Sequence, residues 1–91
     1  MKPSEAIRIG CKLYPHKVKN RFFHVPGNGA CVNGAAVAGF WSKNSTSIGF
    51  VDATLKTLYG VDAMSFAAQE LSDCTDLTRE EIADMLERWG L

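Results

Sequence analysis

Thirteen consecutive residues carry no charge: Gly29-Ala30-Cys31-Val32-Asn33-Gly34-Ala35-Ala36-Val37-Ala38-Gly39-Phe40-Trp41. Until Phe40 and Trp41 their side chains are small. A helix that is apolar on every face has no side to offer water, so it is buried all round. Small side chains also let neighbouring backbones come close. The stretch therefore predicts a central helix over residues 30–41, with Asn28 or Gly29 at its N-cap. The rest of the chain has to wrap it.

The remaining periodicities fit that role. Pro3 suits a first helical turn, with Lys2 or Ser4 before it, and predicts a helix over 3–14. Ala6, Ile7, Gly10, Cys11 and Tyr14 make its apolar stripe, widened by Ile9 and Leu13, and Arg8 and Lys12 its basic outer face. Tyr14-Pro15 ends it, because a residue before proline is pushed out of the helical region. Residues 15–28 have no helical period. Within them Pro26-Gly27-Asn28-Gly29 is a turn by composition, and a hairpin pairing Phe22–Val25 with Ala30–Val32 is one way to use it. Residues 42–49 form a polar loop.

A short helix is expected over 50–59, with Phe50, Val51, Leu55 and Leu58 inward and Gly60 as a left-handed stop. Asp62 then caps a helix over 63–72, lined by Met64, Ala67, Ala68 and Leu71 with Phe66 beside them. Thr78-Arg79-Glu80-Glu81 is a capping box with Leu77 and Ile82 as its staple. It opens a helix over 79–89 whose stripe is Ile82, Met85, Leu86 and Trp89, stopped by Gly90. The expected fold class is all-α. It is a compact bundle of four or five short helices around the segment 30–41, forming one domain over residues 1–91.

At 91 residues, a chain buries roughly 60–65% of its unfolded surface, enough for one core without staples. Cys11, Cys31 and Cys74 lie far apart with no CxxC pair, which argues against a disulfide framework and a zinc knuckle. Reduced thiols are expected, with no metal and no cofactor. No apolar run approaches the ~20 residues that span a bilayer. The opening Met1-Lys2-Pro3-Ser4-Glu5-Ala6 lacks the apolar block of a secretion signal. A cytoplasmic location without a membrane partner is the expectation.

Charge is balanced overall but divided along the chain. Residues 1–43 hold seven cations (Lys2, Arg8, Lys12, Lys17, Lys19, Arg21 and Lys43) against Glu5 alone, a net +6. Residues 44–91 hold Lys56, Arg79 and Arg88 against nine carboxylates, a net −6. Opposite surfaces steer association and set register. A protein-interaction module follows, binding a partner or itself through its opposite charge halves. The same charges can instead pair within one chain.

The cations are densest beside aromatics. Lys17, Lys19, Arg21, Phe22, Phe23 and His24, with His16 at their edge, are the candidate binding residues. Cations supply sequence-independent affinity for phosphates, and exposed rings stack on unpaired bases. The competing reading has Phe22 and Phe23 anchoring the loop to the core. A domain with no net positive charge counts against nucleic acid. A second alternative is a thiol-dependent enzyme centred on Cys31, since a helix N-terminus lowers a thiol pKa. His24 or His16 would be its base, and a small residue chosen for packing is the competing reading. Other motifs fail on spacing. The glycines at 27, 29 and 34 match neither GxGxxG nor a P-loop. Asp73, Asp76 and Glu80 lack the ligand alternation of an EF-hand. The acidic helix at 79–89 has no recognition helix after it and repels phosphates.

Three segments resemble a set of small uncharacterised bacterial and phage proteins. Ser4-Glu5-Ala6-Ile7-Arg8-Ile9-Gly10 is similar to their opening helix, and Cys31-Val32-Asn33-Gly34-Ala35-Ala36 to their cysteine-led, alanine-rich second helix. Leu77 to Glu87 resembles their closing helix. Many such proteins carry a CxxC knuckle before the last helix, which this chain lacks. The resemblance implies an all-helical fold and a mobile-element origin, and it implies no activity.

Overall fold

Ala35, Ala36 and Val37 are fully buried in the computed structural model, and every residue from Gly29 to Gly39 is buried. The structure describes residues 1–19, 22–24, 27–41, 51–60 and 62–91. The polar loop 42–49, Phe50, Arg21, Val25 and Pro26 lie outside the described residues, as do the side chains of His24, Val51 and Phe66.

Among the described residues, five helices and three two-residue strands follow in the order α1 Pro3–Leu13, β1 His16–Lys17, β2 Phe23–His24, β3 Gly29–Ala30, α2 Val32–Trp41, α3 Val51–Tyr59, α4 Asp62–Cys74 and α5 Arg79–Arg88. The class is all-α, with α2 packed against α1, α3 and α4, and α5 packed on α1 and α4. An antiparallel pairing does form here, but it is shorter than the alternative of Phe22–Val25 on Ala30–Val32 and takes in Gly29 in place of Cys31 and Val32, which lie outside it. β2 runs antiparallel to β3, with Phe23 opposite Ala30 and His24 opposite Gly29. β1 lies on the other edge of β3 and runs parallel to it, with His16 opposite Gly29. Asn28, at φ +50, makes the left-handed step into β3, a conformation that asparagine tolerates. Because Gly29 and Ala30 are committed to this sheet, the central helix starts at Val32 and not at residue 30. Its N-cap is Cys31, in place of Asn28 or Gly29.

α1 and α2 pack in opposite directions through small residues. A Cβ on Gly10 would stand 1.7 Å from the Ala35 carbonyl oxygen, and one on Gly39 would stand 1.7 Å from that of Ala6. Ala6 and Gly10 are four apart on one helix, and Ala35 and Gly39 four apart on the other. Each glycine therefore receives the other helix's backbone, and neither position has space for a methyl group. This reciprocal seam explains why the charge-free stretch is small as well as apolar.

The last helix is fixed at both ends. Thr78 Oγ1 accepts from the Glu81 amide at 3.0 Å, and Glu81 Oε1 accepts from the Thr78 amide at 2.8 Å, which completes the capping box. At the other end Gly90 takes φ +86. Its amide donates to the Glu87 carbonyl at 3.0 Å, and the Leu91 amide donates to that of Leu86 at 2.8 Å. This paired closure brings Leu91 against the core. The Leu91 carbonyl then accepts from the Ser4 amide at 3.2 Å, one of the donors a helix start leaves unpaired. Leu91 takes the place expected for Trp89, which is 56% exposed. Leu13 (43%) and Ala67 also face outward, contrary to their expected stripes. Arg79, Thr54, Ser4 and Ser72 are buried instead.

Candidate functional site

The buried start of α2 is the most polar point of the core. A helix N-terminus leaves unpaired amides, and here the side chains of Cys31, just before α2, and of α4 meet them. The Cys31 sulfur accepts from the Gly34 amide at 3.4 Å, and Ser72 Oγ accepts from the Val32 amide at 3.3 Å. The Cys31 thiol donates to Gln69 Oε1 at 3.2 Å, and Gln69 Nε2 donates to Asp73 Oδ2 at 2.9 Å. Tyr59, from α3, donates its hydroxyl to Asn33 Oδ1 at 3.2 Å. Among the described residues no buried side-chain nitrogen or oxygen lacks a partner.

This arrangement acts on Cys31 in two opposed ways. Burial pushes its thiol pKa up, while the hydrogen bond from the Gly34 amide pulls it down, and burial wins. With 1% of its surface exposed, Cys31 is a protonated capping group and not a ready thiolate. Cys11 is pushed up to about 11, again by burial first. Among the described residues no three of His, Cys, Asp and Glu stand close enough to hold a metal ion.

Of the basic-aromatic stretch the structure describes the side chains of His16, Lys17, Lys19, Phe22 and Phe23. Lys17 Nζ donates to the carbonyls of Leu77 at 2.8 Å and Thr75 at 3.1 Å, just past the C-terminus of α4. A cation there meets the negative end of the helix dipole. Phe22 is half-buried against the core, and its carbonyl accepts from the Cys31 amide at 3.2 Å. Phe23 is half-buried with its ring 5.1 Å from that of Tyr14. Lys19 and His16 are exposed. Arg21 and the His24 side chain lie outside the described residues. The sheet thus brings Lys17, Phe22 and Phe23 together as an anchor, with Lys19 at its surface.

Pairing across the charge division occurs inside the chain. Arg8 Nη2 meets Asp84 Oδ1 at 2.7 Å, and Arg8 Nη1 meets Glu87 Oε2 at 3.1 Å. Arg79, buried at the start of α5, donates from Nη1 to the Ala30 carbonyl at 3.1 Å. Lys17 and Arg79 together tie the small sheet to the 75–79 segment.

Comparison with protein-family models, curated proteins and solved structures finds no match. The site therefore rests on its own geometry.

Two surface features stand out. One is a shallow, open groove of about 390 Å³ on the outer side of α4, lined by Ala67, Glu70, Leu71, Cys74 and Thr75. The other is aromatic. Trp41 is 40% exposed, donates from Nε1 to Thr54 Oγ1 at 2.9 Å and meets Phe40 edge-on at 5.5 Å between ring centres. Trp89 is the more exposed of the two tryptophans. Sequence periodicity places Trp89 in the core stripe and so misses it. The signal that finds it is the pair Gly90-Leu91: a left-handed glycine followed by an apolar residue turns that residue inward and leaves its predecessor outside.

Proposed function

We propose that this protein is a non-enzymatic protein-interaction module. The observation that carries this reading is the exposure of Trp41 and Trp89. Tryptophan is enriched among residues that dominate binding energy, because it offers a large rigid surface with a polar handle. The groups that would serve chemistry point the same way. The Cys31 thiol is engaged in capping a helix, and burial holds it protonated. The divided charge has a part in orienting a partner, although Arg8 already meets Asp84 and Glu87 within the chain.

Nucleic-acid binding through the 16–24 stretch is the second reading, and exposed Lys19 and His16 favour it. Less supports it than the first, because Lys17 is held by two carbonyls and Phe23 by Tyr14. A photo-crosslinking phenylalanine at position 89, compared with one at position 19, separates the two. The interaction reading expects discrete protein adducts from position 89 in cells that naturally make the chain. Adducts to nucleic acid from position 19, with none from 89, would favour the second reading instead.

A further inference from the structure

Resting on that interaction reading, we propose that the partner at the tryptophan end is a second copy of this chain. Two contacts define the end. Gly39 of α2 lies against Ala6 of α1, and the Leu91 carbonyl holds the Ser4 amide. The start of α1, the close of α2 and the close of α5 therefore share one end of the bundle. Three of the four exposed large apolar side chains among the described residues belong to it: Met1 (58%), Trp41 and Trp89. The fourth, Leu13, sits at the opposite end of α1.

The charges around these side chains indicate the occupant. Exposed Lys2 and Arg88 are cationic and exposed Glu5 is anionic, while Glu87 already meets Arg8 within the chain. A two-fold contact places one patch on its own image, so each residue meets a different residue of the same patch. A rim of one sign would repel itself in that arrangement. A rim of both signs pairs with itself, Lys2 or Arg88 of one copy facing Glu5 of the other. A strongly acidic or basic partner would call for a single-sign rim. The formal net charge of zero also removes the long-range repulsion that keeps charged proteins apart. Aromatic side chains inside a polar rim reproduce the anatomy of protein interfaces.

The test is sedimentation equilibrium of the full chain from about 1 to 500 μM, a range set by the affinities typical of modest interfaces. The expected result is a monomer–dimer equilibrium. Trp89→Glu should weaken it at least tenfold while leaving the thermal midpoint unchanged, because Trp89 lies outside the core. Leu13→Glu, at the far end, should dimerise like the parent chain. A monomer at every concentration overturns the proposal, and so does a dimer indifferent to Trp89→Glu. The position-89 crosslinker keeps this apart from the broader reading. An adduct of twice the chain mass supports a second copy. Adducts only of other masses overturn self-association and leave the interaction module standing. Adducts no more frequent than at position 19 remove both.

Discussion

The two ends of α2 are built to opposite purposes. At its start, the Val32 and Gly34 amides, the Cys31 thiol and the Asn33 amide oxygen all have partners within the chain. At its close, Trp41 lies at the surface with part of its ring uncovered. The start holds the residue types that invite a chemical reading, a cysteine at a helix N-terminus beside glycines, and the fold uses all of them to close a buried terminus. The close holds residue types that invite a core reading, and the fold packs Phe40 against the core but leaves Trp41 at the surface. Satisfying a buried polar group is obligatory, whereas an apolar residue can be left outside at modest cost. Polar side chains are therefore claimed first, and what remains available for a partner here is aromatic.

The largest expected effect breaks the helix that joins the two ends. Gly39→Val drives a Cβ into the Ala6 carbonyl, and backbone cannot yield as a flexible side chain does. The helices must separate, and overpacking of this kind costs about 3 kcal/mol or more. Gly60→Ala is the control. Gly60 also has a constrained role, at φ +79, but nothing lies within 4 Å of its added methyl. Its cost should stay near 1–2 kcal/mol, the left-handed penalty alone. Chemical denaturation of both variants measures the difference. Equal losses would mean that the seam relaxes.

The next effect tests whether the start of α2 needs a polar atom or merely a small one. Cys31→Val keeps the size and burial but removes the acceptor for Gly34 and the donor for Gln69. A buried amide left unpaired costs about 1–3 kcal/mol. Cys31→Ser keeps both bonding roles, and serine is a preferred N-cap. Serine should therefore be more stable than valine in equilibrium unfolding. The opposite order would make Cys31 a packing residue whose hydrogen bonds are incidental, and would dissolve the contrast between the ends.

These positions also mark what the sequence makes legible. The uncharged small run announces burial, and the capping box and Gly90 announce the last helix, because caps and apolar periods are local. The three-residue span from Gly29 to Cys31 is different. Its composition suits a helix, yet pairing with His16–Lys17 and Phe23–His24 claims the first two residues, and such pairing depends on residues up to thirteen positions away. Lys17 and Phe23 look like a binding face because no local rule reveals that Leu77 and Thr75 carbonyls, or the Tyr14 ring, will stand beside them. Arg79 reads as a residue inside a cap motif, and its burial follows only from the Ala30 carbonyl opposite. The basic face was thus legible as a cluster along the chain but not as an anchor in space.

The smallest effect near neutral pH sharpens the comparison by titration. Cys31 and Tyr59, both at the buried start of α2, have pKa values raised by burial, and Cys11 on the facing helix is raised to about 11. In the unfolded chain a thiol ionises near its ordinary value of 9.0. Below that pH folded and unfolded chains hold the same protons on these groups, so their contribution to stability is constant. Above it the unfolded chain releases protons that the folded chain keeps. Stability must therefore fall as pH rises through 9 and towards 11, because the state binding fewer protons gains from their scarcity. The thermal midpoint should drop by a few degrees between about pH 8 and pH 10, a shift set by roughly 1 kcal/mol in a domain this size. Cys11→Ala should flatten that slope while Trp89→Glu leaves it unchanged, since the exposed end carries none of the three groups. A slope untouched by Cys11→Ala would mean that the thiols ionise equally well in both states, and that the interior around α2 is wetter than its packing implies.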